Sequence, residues 1–207
     1  MSARTICLLA LALAGAGMPA VSLASPKVAD VLIQHATIVD VEAGTTRPGQ
    51  SVALRGEDIV DVGDDASMAR RWTSTQRVDA GNRYLLPGLW DMHVHFGGGP
   101  ALIEENKALL PLYIAHGITT VRDASGDLPQ QILQWRGQIA RGALAGPRLL
   151  TSGAKIEGIK PVWKGTLEVG SEADVDAAIA QLRRDRVDFV KITDSTVKPE
   201  LFLDAAS

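Results

Sequence analysis

Cysteine is almost missing from the sequence: Cys7 is the only one in 207 residues. A lone thiol excludes an intramolecular disulfide and a cysteine-rich zinc site, so any metal must be held by histidine, carboxylate or a less usual donor. Histidine is also scarce, with four in the chain, so each one carries information. There is little excess charge of either sign. Lys and Arg total 21 against 24 Asp and Glu, a net charge of -3, which leaves no electrostatic footprint for nucleic acid. With 22% charged and 46% hydrophobic residues, the composition is that of a folded globular chain rather than a disordered one.

The conspicuous apolar run is at the N-terminus. Arg4 precedes Ile6–Ala14, a Gly/Pro break spans Gly15 to Pro19, and Ser22-Leu23-Ala24 has the small-x-small form of a cleavage site. The run is too short for a stable membrane span. Cys7 lies too early for a lipoprotein signal. Residues 1–24 are therefore expected to be a signal peptide, and the protein exported to the periplasm or secreted, with no cysteine left in the mature chain.

Two periodicities follow. From 25 to 84, short alternating segments (Val31–Ile33, Thr37–Val41, Ser51–Leu54, Asp58–Val62, Arg77–Asp79) are separated by Gly- and Asp-bearing turns at Glu42–Gly44, Arg55-Gly56 and Gly63–Asp65. They predict a small β-module with one solvated face. His35 stands alone in it and is assigned no role. From 85 to 207 the pattern becomes strand, helix, strand, helix. The predicted strands are Leu85–His95, Ile118–Arg122, Arg148–Thr151 and Val187–Ile192, with helices over Ala101–Ala115, Pro129–Ala143 and Glu172–Arg184 and another beginning at Pro199. Four βα units imply a parallel sheet, either doubly wound or a barrel. A closed barrel needs eight units and about 250 residues. The expected fold is thus α/β, with the first half of a (β/α)8 barrel behind a small β-segment, and this incomplete barrel is expected to have two unpaired edges.

The chemical signal is on the first barrel strand. His93 and His95 are two apart, so both side chains leave the same face and could reach one ion. Asp91 shares their parity and could orient them. Gly97-Gly98-Gly99 follows, opening the backbone to a substrate or metal. Lys191 ends the apolar run Val187–Ile192, where desolvation would favour a neutral amine able to take up CO2 as a carbamate. A lysine that merely reaches solvent at the strand end is the competing reading. Arg122 and Asp123 close the second strand as an ion pair, loop anchor or catalytic pair. The loop Gly153–Gly165, with Trp163 and three lysines, lies where substrate contacts collect. His116 fits a structural helix end, and Arg183, Arg184 and Arg186 fit a solvated face.

The segments Leu85–His95, Ala115–Asp123, Gly146–Leu150, Ser152-Gly153 and Val187–Ile192 together resemble the amidohydrolase superfamily, in its imidazolonepropionase-like and prolidase-like group. The resemblance implies a composite β-sandwich over residues 25–84 joined to a (β/α)8 barrel. It makes His93, His95 and Lys191 metal ligands, with Lys191 a carbamate bridging two divalent ions, expected to be Zn2+. It also implies hydrolysis of C–N bonds in a small amide or peptide-like substrate by a metal-bridged hydroxide. Two further histidines and an aspartate base belong to later strands, so the chain is expected to supply half the site and not to catalyse alone. Other readings remain open. One is a non-catalytic half-barrel that assembles as a homo-oligomer or with a complementing C-terminal half; the other is a mononuclear, deaminase-like member.

Overall fold

The computed structural model describes residues 25–193 and 195–206; the predicted signal peptide, residues 1–24, lies outside them. The chain forms two compact units that meet between Leu86 and Pro87. No helix among the described residues is long and apolar enough to cross a membrane.

The first unit contains strands β1 (Lys27–Val28), β2 (Val31–Asp40), β3 (Thr45–Arg55) and β4 (Asp58–Asp64), helix α1 (Asp65–Arg71), then β5 (Trp72–Thr73), β6 (Gln76–Asp79) and β7 (Tyr84–Leu85). Antiparallel β2–β3 and β3–β4 ladders join parallel β2–β6 and β2–β7 pairs in a five-stranded sheet, and β1 pairs with β5. Val31–Ile33 and Thr37–Val41, predicted as separate strands, belong to one continuous β2 that ends at Asp40. A bulge between Ile33 and Ala36 carries it, with His35 at φ 54°. His35 is exposed and structural: its amide donates to Asp65 Oδ1 at 3.1 Å, and its Nδ1 lies 3.0 Å from Asp79 Oδ1. Gly63–Asp65, predicted as a turn, instead carries the end of β4 directly into α1, which starts at Asp65. Asp64 caps that helix by accepting the Ser67 amide at 2.8 Å, and Met68 on its inner face is fully buried with Leu32, Ala53 and Trp72.

The second unit contains β8 (Leu89–Val94), a 3-10 turn at Pro100–Leu102, α2 (Ile103–Ala115), β9 (Ile118–Asp123), α3 (Pro129–Ala140), β10 (Arg148–Thr151), β11 (Ile156–Gly158), β12 (Leu167–Val169), α4 (Glu172–Asp185) and α5 (Pro199–Ala206). Parallel β8, β9 and β10 lie side by side in chain order, as successive βα units should. Gly117, at φ 78°, ends α2 and returns the chain to β9. Ser171 caps α4 through the Asp174 amide, and Arg186 closes it in the left-handed region at φ 51°. Two apolar clusters form. Val94, Phe96, Leu110, Val121, Ile132 and Trp135 lie in the first, and Ile156, Val169, Val175, Leu182 and Val197 in the second.

Two strand boundaries differ from the sequence prediction. The predicted strand Leu85–His95 is broken at Pro87-Gly88, so Leu85 pairs with β2 while β8 starts at Leu89. Proline brings no amide proton to a ladder, and the Gly88 backbone packs so closely on Thr119 that a β-carbon would overlap it. Val187–Ile192 is not a regular fourth strand: it contributes one isolated bridge, Ile192 to Ile156. β10 stops at Thr151 and Gly153 turns at φ 61°, so no continuous ladder extends beside residues 189 and 190. The segment is tied instead at separate points. Asp188 exchanges hydrogen bonds with Thr151 and receives the Arg136 guanidinium at 2.9 Å, while the Lys191 carbonyl accepts the Ile156 amide at 2.9 Å.

A β-carbon at Gly126 would overlap the Phe96 carbonyl, two backbones that cannot separate cheaply. Gly126→Ala is expected to destabilise the protein by about 2 kcal/mol or more, against about 1 kcal/mol for Gly44→Ala, which meets only the left-handed backbone penalty. Urea unfolding of both variants measures the difference, and equal costs would contradict the close approach.

Candidate functional site

Alternation along the end of β8 sets the site. Val94 and Phe96 are buried, and Phe96 packs edge-on to Tyr113 and Trp135, so His93 and His95 face outward together. Their Nε2 atoms are 3.0 Å apart. The Nδ1 of His95 lies 2.6 Å from the Ser125 carbonyl, which can only accept. His95 therefore carries its proton on Nδ1 and turns a bare Nε2 toward His93. His93 Nε2 donates to it across this contact, and with that proton displaced the pair fits one ion, since tetrahedral Zn–N bonds of about 2.0–2.1 Å place ligand nitrogens about 3.3 Å apart.

Asp91 does not orient the rings. Its Oδ1 accepts the His93 backbone amide at 3.2 Å, shaping the strand end instead. Lys191 is half-buried, and among the described contacts its side chain meets neither histidine. It lies near enough to Lys155 for its charge to help hold that lysine's pKa down, after the larger effect of burial. Among the described residues, no three His, Cys, Asp or Glu side chains gather to hold an ion. The structure thus brings His93 and His95 together and leaves Lys191 on the neighbouring segment. His116 donates from Nδ1 to the Leu112 carbonyl at 2.8 Å, at the end of α2. Arg183, Arg184 and Arg186 are exposed.

Arg122 and Asp123 part company. The Arg122 guanidinium lies over the Phe189 ring at 5.2 Å. Asp123 is fully buried: Oδ2 accepts the Thr151 hydroxyl at 2.8 Å, and Oδ1 finds no hydrogen-bond partner among the described residues. Burial pushes its pKa up to about 6, against the opposing pull of the Thr151 hydroxyl and of His95.

A cleft of about 520 Å3 opens beside His95, between Gly97-Gly98, Ser125–Asp127 and the Lys155–Lys164 stretch. Three of its determinants carry no periodic sequence signal. Buried Asn106 ties down the glycine loop, accepting the Gly97 amide at 3.1 Å and donating to the Gly97 and Leu102 carbonyls. Ser125 presents both the carbonyl that sets His95 and a hydroxyl that accepts the Lys155 amide. Glu157 is fully buried, with Lys155 3.7 Å from its Oε1. Ser125 and Glu157 each precede a glycine, the one cue that could have flagged them; Asn106, between Glu105 and Lys107, has none.

No protein-family profile matches the chain. Over 105 residues it is 36% identical to an adenine deaminase of Rubrobacter xylanophilus, a stretch covering 47% of this chain and 17% of that protein. An imidazolonepropionase of Chloroflexus aggregans is 39% identical over 64 residues, 31% of this chain and 15% of that one. In fold, a structure from Bifidobacterium longum provisionally described as a prolidase superposes with a TM-score of 0.68 at 24% identity, over 83% of this chain and 42% of that one. The fold it shares with that structure is a parallel α/β one. In sequence and in fold, the chain is thus similar to part of these amidohydrolase-superfamily proteins. The chain spans well under half the length of the relatives it matches.

Because Asp123 has a raised pKa in the folded state, its contribution favours folding at low pH and is lost as pH rises. Between about pH 4 and 6 the unfolded carboxyl ionises while the folded one resists, so metal-free protein should lose about 2–3 kcal/mol relative to Asp123→Asn and then level off. Denaturant unfolding across that range tests this. A constant difference between the two proteins would show that Asp123 titrates normally.

Proposed function

We propose that this chain is part of a metal-dependent hydrolase that cleaves C–N bonds in small molecules, with His93 and His95 as its first metal ligands. The observation that carries the reading is the 3.0 Å convergence of the two Nε2 atoms, with the His95 tautomer set by Ser125. Deaminase relatives in sequence and a prolidase-type relative in fold have C–N hydrolysis in common. A divalent ion, Zn2+ by the character of the donors, would supply Lewis acidity and acidify water near neutral pH. The protein's own part is to keep His95 in one tautomer, to hold Gly97–Gly99 open through Asn106, and to keep Asp123 dry behind the ligands. Lys191, as a carbamate, completes this reading as the bridging donor.

His93→Ala and His95→Ala are each expected to weaken Zn2+ or Co2+ binding at least tenfold, read by calorimetry and by the visible bands of Co2+. Lys191→Met should remove any bicarbonate dependence of a second equivalent. Binding unchanged in both histidine variants would sink the metal assignment.

Export completes the proposal, on the signal-like order of residues 1–24. Protein recovered from the envelope or medium should begin at Ser25 by N-terminal sequencing. A chain retained inside cells with Met1 intact would refute it.

A further inference from the structure

We propose that Ser125 is a positioning residue that couples the His95 ring to the segment bearing Lys191, so that the two parts of the donor set keep one spacing. This deepens the metal-dependent reading above and rests on it for what is being positioned. The Lys191 side chain meets neither histidine among the described contacts, yet a continuous backbone path joins the two places. The Ser125 carbonyl accepts the His95 Nδ1 proton at 2.6 Å. The hydroxyl of the same residue accepts the Lys155 amide at 3.2 Å. One residue further, the Ile156 amide donates to the Lys191 carbonyl at 2.9 Å, and the Ile156 carbonyl accepts the Thr193 amide at 3.1 Å. Three hydrogen bonds and the Lys155–Ile156 peptide therefore link His95 to the backbone of Lys191.

The backbone of Ser125 shows that its side chain is used. The residue is buried and holds φ at 69°, in the left-handed region that penalises any β-carbon. Glycine would take that conformation without strain. It would also remove the acceptor of the Lys155 amide, in a stretch buried from Thr151 to Gly158, where water is poorly placed to replace it. Strain kept at a site, with a side chain that a second loop depends on, marks a position held for its contacts. Ser125 is also pinned on both sides. The Ala124 amide donates to the Val94 carbonyl at 2.9 Å, and the Gly126 backbone lies against the Phe96 carbonyl. At the far end, the Lys155 carbonyl accepts the Leu167 amide at 2.8 Å. A shift of the His95 ring is thus passed on to Lys155 and Ile156 rather than absorbed between them. The coupling runs both ways, so a well-held Lys155 segment also keeps the Ser125 carbonyl on His95 Nδ1.

The amide-proton NMR signals of Lys155 and Ile156 in the metal-free protein read this path, because they follow the length of each hydrogen bond and not the overall stability. His95→Phe keeps an aromatic ring and removes the Nδ1 donor at an exposed position. In the wild-type background it should move both signals upfield. In a Ser125→Gly background, where the hydroxyl is gone, it should move neither. Ser125→Gly exchanges the lost bond for relief of the left-handed strain, so it should stay folded, which circular dichroism checks. It should also weaken Zn2+ binding about tenfold. A further readout needs no variant: Zn2+ titrated into the wild type should move the same two signals along its binding curve and leave those of the β2–β3 ladder in place. Signals unmoved by His95→Phe, or moved equally with and without the Ser125 hydroxyl, would overturn the proposal. The two ideas separate cleanly. A Ser125-dependent shift in a protein that binds no Zn2+ sinks the metal reading alone, whereas Zn2+ bound by the histidines with Ile156 unmoved sinks this one.

Discussion

The unit that bears the histidines depends on one close approach, that of the Phe96 carbonyl to the backbone of Gly126. It locks the ends of β8 and β9 together, where Val94 pairs with Asp123 and its carbonyl accepts the Ala124 amide at 2.9 Å. Only with that register does the Ser125 carbonyl face His95 Nδ1, and only then is the His95 Nε2 bare. On the inner side of the strand, Val94 and Phe96 bury the apolar weight that holds it in place. A pair of exposed imidazoles is thus positioned by groups that never touch a ligand. This is how loosely held surface residues gain the accuracy that coordination demands.

Behind the site, polarity is buried at high density. Every residue from Thr151 to Gly158 is buried, and the stretch includes Thr151, Ser152, Lys155 and Glu157. Most of these groups find partners: Thr151 bonds Asp123 and Gly153, Asp188 bonds the Thr151 amide, and Glu157 takes Thr193 and Trp163. Two neighbouring atoms are left short among the described residues, Nε of Arg122 and Oδ1 of Asp123. Unsatisfied groups are uncommon in folded interiors and concentrate where ligands bind. Both lie near the strand ends that form the cleft.

Much of this was legible in the residues. The apolar runs at Ile118–Arg122 and Arg148–Thr151, with helices between them, needed only periodicity, and His93 and His95 needed only the two-residue repeat of a strand. The failures have local causes. Gly63–Asp65 carried turn composition, but Asp64 was an N-cap and Met68 an apolar anchor, so a helix formed where a hairpin was expected. Leu85–His95 read as one strand because hydropathy does not register the missing amide of Pro87. Val187–Ile192 had strand composition, but a strand also needs a neighbour in register, and that depends on where β10 stops. Lys155 was reached only as one of three lysines in a loop, and Asn106, a single polar residue on α2, was invisible as a site residue because neither has a period of its own. Their importance comes from which backbones they meet in space.

The second unit has two apolar clusters with no buried member in common, one around Phe96 and one around Ile156. Between them run directional bonds: Asp188 to Thr151 and Arg136, the Lys155 amide to the Ser125 hydroxyl, and the Ser152 amide to the Asp123 carbonyl. Oily surfaces slide over one another at little cost, whereas a hydrogen bond displaced by half an ångström weakens sharply. The seam between imidazoles and lysines is therefore a ruler as well as a joint. It is also the line along which water would first enter, so the exchange of the Thr151 and Lys155 amides would report the opening of the molecule before either core gives way.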